Sequence, residues 1–193
     1  MPPGLTGLNP ARRHRVVAEG FAEQVGAVTD WDAPTPVDGW VARDVVGHLV
    51  DWFPAFLAAG GVSLPASPPV ADDPLRAWRA QTDAVQALLD GDAAQTSFRH
   101  PMAGTHVLAD AVDQFYTADV FMHTWDLAAA AGRRADLDPG FAAELADGMA
   151  GIEELLRSSG QYGPAVPVAA DADPVTRLVG FIGRDPNWRA AAP

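Results

Sequence analysis

Apolar residues recur along this chain at intervals of three and four, the spacing of one helix face, and proline-rich polar stretches separate the runs. Val17, Phe21, Val25 and Val28 mark a first helix, opened by Asn9-Pro10 as N-cap and first-turn proline. The segment TDWDAPTPVDG, residues 29–39, reads as a loop. A second helix is expected from about Trp40, with Val45, Leu49, Trp52, Phe53 and Phe56 on a broad apolar stripe. The connector SLPASPPVADDP leads to a third helix from about Leu75 to Leu89. TSFRHPMAGTH, residues 96–106, is read as a strand or an extended crossover. A long fourth helix is expected from about Val107 to Ala131, closed by Gly132 with Arg133 and Arg134 where the helix dipole favours cations. A fifth should follow Asp138-Pro139 and reach about Leu156; a Pro-rich tail from Gly163 holds one short helix near Pro174–Ile182.

No alternation of strands and helices is present, so a parallel sheet is not expected. The pattern predicts an all-α fold: one domain over residues 1–193, a four-helix bundle with long crossover connections and a short Pro-rich C-terminal tail, 163–193, packed on it or extending from it. The size, 193 residues, suits a single core.

Composition narrows the chemistry. The net charge of −12 and pI near 4.5 speak against nucleic acid or an anionic membrane as partner. The longest uncharged stretch, Trp52 to Ala71, is broken by Pro54, Gly60, Gly61, Pro65, Pro68 and Pro69, unlike a membrane span. Nor does the N-terminal sequence read as a signal peptide, so a cytoplasmic protein is expected. Cysteine is absent, which removes disulfides, iron–sulfur clusters and any protein-borne thiol nucleophile. All 13 basic residues are arginine, so Schiff-base and P-loop lysine chemistry is also excluded.

The segment VFMHTWDLAAAAG, residues 120–132, places His123 and Asp126 inside an apolar helix, with Asp119 just upstream. At about 100° per residue, Asp119 and His123 lie on one face and Asp126 extends the stripe, with Tyr116 and Met122 at its margins. A carboxylate and a histidine at i and i+4 are a common way for a helix to present two metal ligands. His48 in RDVVGHLVDW could supply a third from the second helix, where Gly47 leaves room and Asp44 and Asp51 share the face. Three protein ligands with an open position are how catalytic zinc is held, and two histidines with one carboxylate also suit nickel, iron or manganese. A closed, structural site would need a fourth ligand such as His106 or Asp51. The spacing is equally that of hydrogen-bonded core histidines, with Asp126 a salt-bridge partner of His123. Trp52 and Trp125 flank the candidate ligands and either wall a cavity or pack in the core, the role also expected for Trp40.

The segments GWVARDVVGHLVDW, ADVFMHTWDLAAAAG and GPAVPVAADADPVTRLVGFIGRDPNW together resemble the DinB-like superfamily. Within it, they resemble metal-binding proteins related to the N-terminal domain of mycothiol-dependent maleylpyruvate isomerase, typical of GC-rich actinobacteria. The resemblance implies a four-helix bundle with metal ligands at His48, Asp119 and His123, Asp119 standing where the isomerase has Glu. It assigns Asp126 to a surrounding position; from their places beside the candidate ligands, Asp51, Trp52, Tyr116 and Trp125 are expected in surrounding or pocket positions as well. It also implies a divalent metal, zinc foremost, that activates the thiol of mycothiol or a similar cofactor for attack on a small electrophile. The short tail stands where the isomerase has a further domain, so S-transfer to another electrophile is expected rather than maleylpyruvate isomerisation. The competing expectation is a non-catalytic metal- or ligand-binding helical module. The partners expected are a small-molecule thiol and its electrophile, with a homodimer compatible. Arg177 and Arg184 in the tail are candidates to meet an anionic substrate, or to serve as surface or ion-pair residues.

Overall fold

In the computed structural model, residues 4–158 and 162–190 are described. The elements in chain order are α1 (Pro10–Ala27), α2 (Ala42–Ala59), α3 (Pro74–Asp90), a 3-10 turn (Asp92–Gln95), β1 (Ser97–His100), β2 (Gly104–Val107), α4 (Leu108–Ala111), a π-helical stretch (Val112–Thr117), α5 (Ala118–Ala130), α6 (Pro139–Ala150), α7 (Glu153–Ser158) and α8 (Pro174–Phe181). The described chain is mostly helical with one two-stranded sheet. None of its helices is long and apolar enough to cross a membrane.

Helix starts share one device. In α1, α3, α6 and α8 an Asn or Asp precedes a proline, and its side chain accepts from the amide three residues on: Asn9 from Arg12, Asp73 from Arg76, Asp138 from Phe141 and Asp173 from Thr176. Proline costs nothing at the first helical position, where its missing N–H would have no partner, and the capping oxygen satisfies a donor that the helix leaves free. Asp44 acts differently: exposed at the start of α2, it accepts from the Val41 amide at 2.9 Å and is not part of the His48 cluster.

α3 and α5 each pack on both α1 and α2. The interior between them collects Val17, Phe21 and Val25 of α1, Val45, Leu49, Phe53 and Leu57 of α2, Trp78 and Val85 of α3, and Tyr116, Val120 and Leu127 beyond them. Each such fully buried apolar side chain contributes roughly 1.5–3 kcal/mol. α2 runs through Pro54 to Ala59, so Phe53 and Phe56 lie on the helix as expected; Pro54 merely leaves the Val50 carbonyl without its i+4 donor.

Residues 96–106, undecided from sequence, contain an antiparallel hairpin in register Phe98↔His106 and His100↔Gly104. Its inward Phe98 lies over Gly60 so closely that a Cβ there would fall 2.1 Å from the ring. The expected fifth helix is two, α6 and α7, separated at Gly151–Ile152. α6 packs on α8, which brings the tail onto the helical body.

The fourth helix departs from a plain α-helix. Its backbone stays helical from Leu108 to Ala130, but over Val112–Thr117 the hydrogen bonds lengthen to i+5, as from the Ala118 amide to the Asp113 carbonyl. One extra residue per turn rephases everything after it relative to everything before. Such π-bulges often accompany functional sites, and this one ends just before Asp119.

Candidate metal centre

α2 and α5 face each other, and His48, Asp119 and His123 meet across that contact. One ligand atom from each lies within 4.8 Å of the other two. His48 Nε2 is 3.0 Å from Asp119 Oδ2, and His123 Nε2 is 3.5 Å from Asp119 Oδ1. Ligands about 2.1 Å from a tetrahedral zinc are about 3.4 Å apart, so the three groups are close enough to share one cation. The donor set, two imidazoles and a carboxylate, fits as well.

Exposure is graded across the cluster: the side chains are 31% exposed at His48, 19% at Asp119 and 7% at His123. The site is thus rooted in the core at His123 and reaches solvent at His48. Trp52 donates its indole N–H to Asp119 Oδ2 at 3.0 Å, which fixes the carboxylate whatever occupies the site. Trp40 stacks on His123 with 5.7 Å between centroids and lies 5.2 Å from His48, forming a second wall. It is carried there by the loop before α2, where Thr35 N donates to Trp40 O and Pro34 bridges Val41.

Charge is tuned by these neighbours. Burial would raise the Asp119 carboxyl, but the facing His123 and the hydrogen bonds from His48 and Trp52 outweigh it and hold the group below its ordinary value. Burial would lower His123, yet Asp119 and Asp126 outweigh that and raise it. The Asp119 carboxylate is thus held in its charged form between two imidazoles and the Trp52 N–H.

Asp126 is fully buried and accepts from His123 Nδ1–H at 2.9 Å. It is also held by Arg184 of the tail, Nε to Oδ1 at 3.2 Å and Nη2 to Oδ2 at 3.1 Å. Arg184 is therefore an ion-pair residue, while Arg177 is exposed on α8. Tyr116 does not reach the cluster as a ligand. Burial raises its phenol far above the ordinary value, and the hydroxyl donates to the Leu49 carbonyl at 3.0 Å, bracing α2 against the π-helical stretch.

Asp51 is exposed and stands outside the cluster. Trp125 faces elsewhere, lining a cleft of about 510 Å³ with Arg133, Arg134 and Trp188. This separation follows from its place two residues after His123, about 200° around the helix. Beside Gly47 an added Cβ would meet nothing within 4 Å, so no other backbone approaches there. His106 is tied to the Ala103 carbonyl at 2.7 Å, and His100 Nδ1 accepts from the amides of Met102 and Ala103. His100 stacks on Phe56, which also meets Trp52 and Phe115, so an aromatic row runs from the cluster toward the hairpin.

Sequence reasoning missed Trp40 as a wall of the site and, although an ion-pair role was among those open to Arg184, missed Asp126 as its partner. Trp40 carried a weak signal in standing eight residues before His48, at the mouth of the same helix. Arg184 carried none, because 58 residues separate it from Asp126.

Two uncharacterized proteins of Mycobacterium tuberculosis, from strains CDC 1551 / Oshkosh and ATCC 25618 / H37Rv, are each 28% identical over 190 residues, spanning 92% of this chain and 98% of the relative. No solved structure matches the chain significantly. The profile of the mycothiol maleylpyruvate isomerase N-terminal domain matches residues 14–128, a span holding all three clustered residues, and the chain belongs to that family.

Proposed function

We propose that His48, Asp119 and His123 hold a divalent cation, zinc foremost, with nickel, iron or manganese as other occupants, and that the protein is a thiol-dependent S-transferase using mycothiol or a similar small thiol. The scaffold is read as a DinB-like four-helix bundle of α1, α2, α3 and the α4–α5 rod, with the tail as part of the same domain. The observation that carries the reading is the convergence of two imidazole nitrogens and one carboxylate oxygen, drawn from two helices, with His48 reaching solvent.

A bound divalent cation favours thiolate over thiol at neutral pH. The chain has no cysteine, so the sulfur belongs to the cofactor. Its thiolate forms a new carbon–sulfur bond to the electrophile, the bond from that carbon to its leaving group breaks, the leaving group departs as an anion (halide from an aryl halide), and the thiol proton passes to solvent. His123 and Asp119 position the site from the buried side, Trp52 fixes the carboxylate, and Trp40 with the Trp52–Phe56 row offers flat apolar walls to the substrate.

A purely structural site would favour a closed fourth ligand. Asp51 and His106, the nearest candidates from sequence, are turned to solvent and to the Ala103 carbonyl, which supports an open position. Elemental analysis of the purified protein beside a His48→Ala/His123→Ala variant tests the centre: stoichiometric metal in the wild type alone is expected. Conjugation of a small thiol to an activated aryl halide, followed with and without chelator, tests turnover. A rate insensitive to chelator would leave a binding module and remove the transferase.

A further inference from the structure

We propose that Arg184, acting through Asp126, holds His123 in its ligating form, so that cation loading at His48, Asp119 and His123 and docking of the C-terminal segment are one coupled equilibrium. The proposal rests on the metal-site reading above and adds a positioning residue to it.

Asp126 has no contact with water, and its oxygens are taken by three donors: Arg184 Nε, Arg184 Nη2 and His123 Nδ1. An ionised carboxylate only accepts, so the hydrogen between Asp126 and His123 sits on Nδ1. The lone pair of a neutral His123 is then on Nε2, the atom that faces Asp119 and His48. Arg184 makes this arrangement tolerable. A buried carboxylate whose cationic partner is removed is strongly destabilised and turns away from its remaining partner. With Asp126 turned away, nothing holds the His123 ring in the orientation that presents Nε2 to Asp119 and His48.

Arg184 is placed by backbone geometry. After α8, Gly183 N donates to Gly180 O at 3.1 Å and Arg184 N to Val179 O at 3.0 Å, a Schellman turn that reverses the chain. The turn needs a positive φ, and Gly183 has +86°. Arg184 Nη1 then donates to the Ile182 carbonyl at 2.9 Å, fixing the guanidinium edge-on to Asp126. Through this bidentate contact the tail reaches Asp126 and, behind it, His123, so that fixing His123 from the cation side also favours the docked tail. By reciprocity, whatever docking adds to metal affinity, metal adds to docking.

Zinc affinity at pH 7 can be measured by competition with a chromophoric chelator for wild type, Arg184→Met, Arg184→Lys and, as control, Arg177→Met on the exposed face of α8. Changes behind a metal-ligating histidine typically cost 10–100-fold. Arg184→Met is expected to lose that much, Arg184→Lys less, and Arg177→Met nothing. Amide exchange over residues 162–190 should slow on zinc addition in wild type and not in Arg184→Met. Wild type that binds no zinc would refute the metal-site reading itself. Wild type that binds zinc while a folded Arg184→Met binds it equally well would overturn the coupling alone. Should Arg184→Met not fold, the wild-type exchange experiment decides: tail amides indifferent to zinc overturn the proposal, and zinc-slowed amides support it.

Discussion

Lowering the pH from 7 toward 4 should unfold this protein partly through a histidine outside the His48–Asp119–His123 cluster. His14 is fully buried in α1, its Nδ1 paired with Thr117 at 3.1 Å and its Nε2 with Thr82 at 3.3 Å. Burial, with the nearby Arg15 charge and against the opposing pull of Asp90, lowers its pKa from 6.5 to about 4. The unfolded chain therefore binds a proton at His14 that the folded chain refuses, between pH 6.5 and about 4. Stability from this group is complete above pH 6.5, falls as the pH drops, and stops falling below about 4, where both states are protonated. At about 1.4 kcal/mol per pH unit the loss approaches about 3 kcal/mol. Urea unfolding across pH 4–7 should show it as a slope in wild type that His14→Gln flattens, since glutamine has no proton to gain. Carboxylates elsewhere also titrate in this range, but they are common to both proteins and cancel in the difference. Parallel pH curves for wild type and His14→Gln would refute the reasoning.

The remaining predictions concern the centre and the hairpin. Trp52→Phe keeps the ring but removes the donor to Asp119 Oδ2, and zinc affinity measured by chelator competition should fall by about tenfold with little change in melting temperature. Zinc at 100 times its dissociation constant should stabilise wild type by about 2.7 kcal/mol in thermal unfolding and leave His48→Ala/His123→Ala unmoved. Gly60→Ala places a methyl group 2.1 Å from the Phe98 ring, so chemical denaturation should show a loss of roughly 1–3 kcal/mol. Phe98→Leu in the same chain should recover part of it, and strict additivity of the two changes would count against the clash.

Helix positions were legible because three local signals coincided: apolar spacing, Asx-Pro starts, and Gly132 as a helix end. Gly132 has a φ of +68°, and its amide and that of Arg133 close the turn on Ala129 and Ala128. His123 and Asp119 were legible as a pair because i and i+4 on one helix fixes their proximity without any knowledge of the fold. Adding His48 required two helices to face each other, and spacing alone gave no means to choose between that and two separate core histidines. The hairpin stayed undecided because four-residue strands leave too few positions for an alternation to show.

What escaped the sequence is the part that depends on long-range fit. Nothing in VDQFYT marks a π turn, because an i+5 hydrogen bond is adopted to satisfy packing around the helix, here Tyr116 against Phe53 at 4.1 Å and Thr117 against His14. The same holds for Arg184. An arginine in a polar tail looks like a surface residue until a buried aspartate needs a partner, and that need exists only once α5 is packed on all sides. The two cases share a cause: the π turn sets the phase at which Asp119, His123 and Asp126 leave the helix, and that phase sends Asp119 outward to His48 and Asp126 inward to the tail. Restoring a regular α-helix by deleting one residue within 112–117 should therefore turn both aspartates away from their partners together. Metal affinity and tail protection should be lost in the same variant, whereas a π turn irrelevant to the site would leave at least one of them intact.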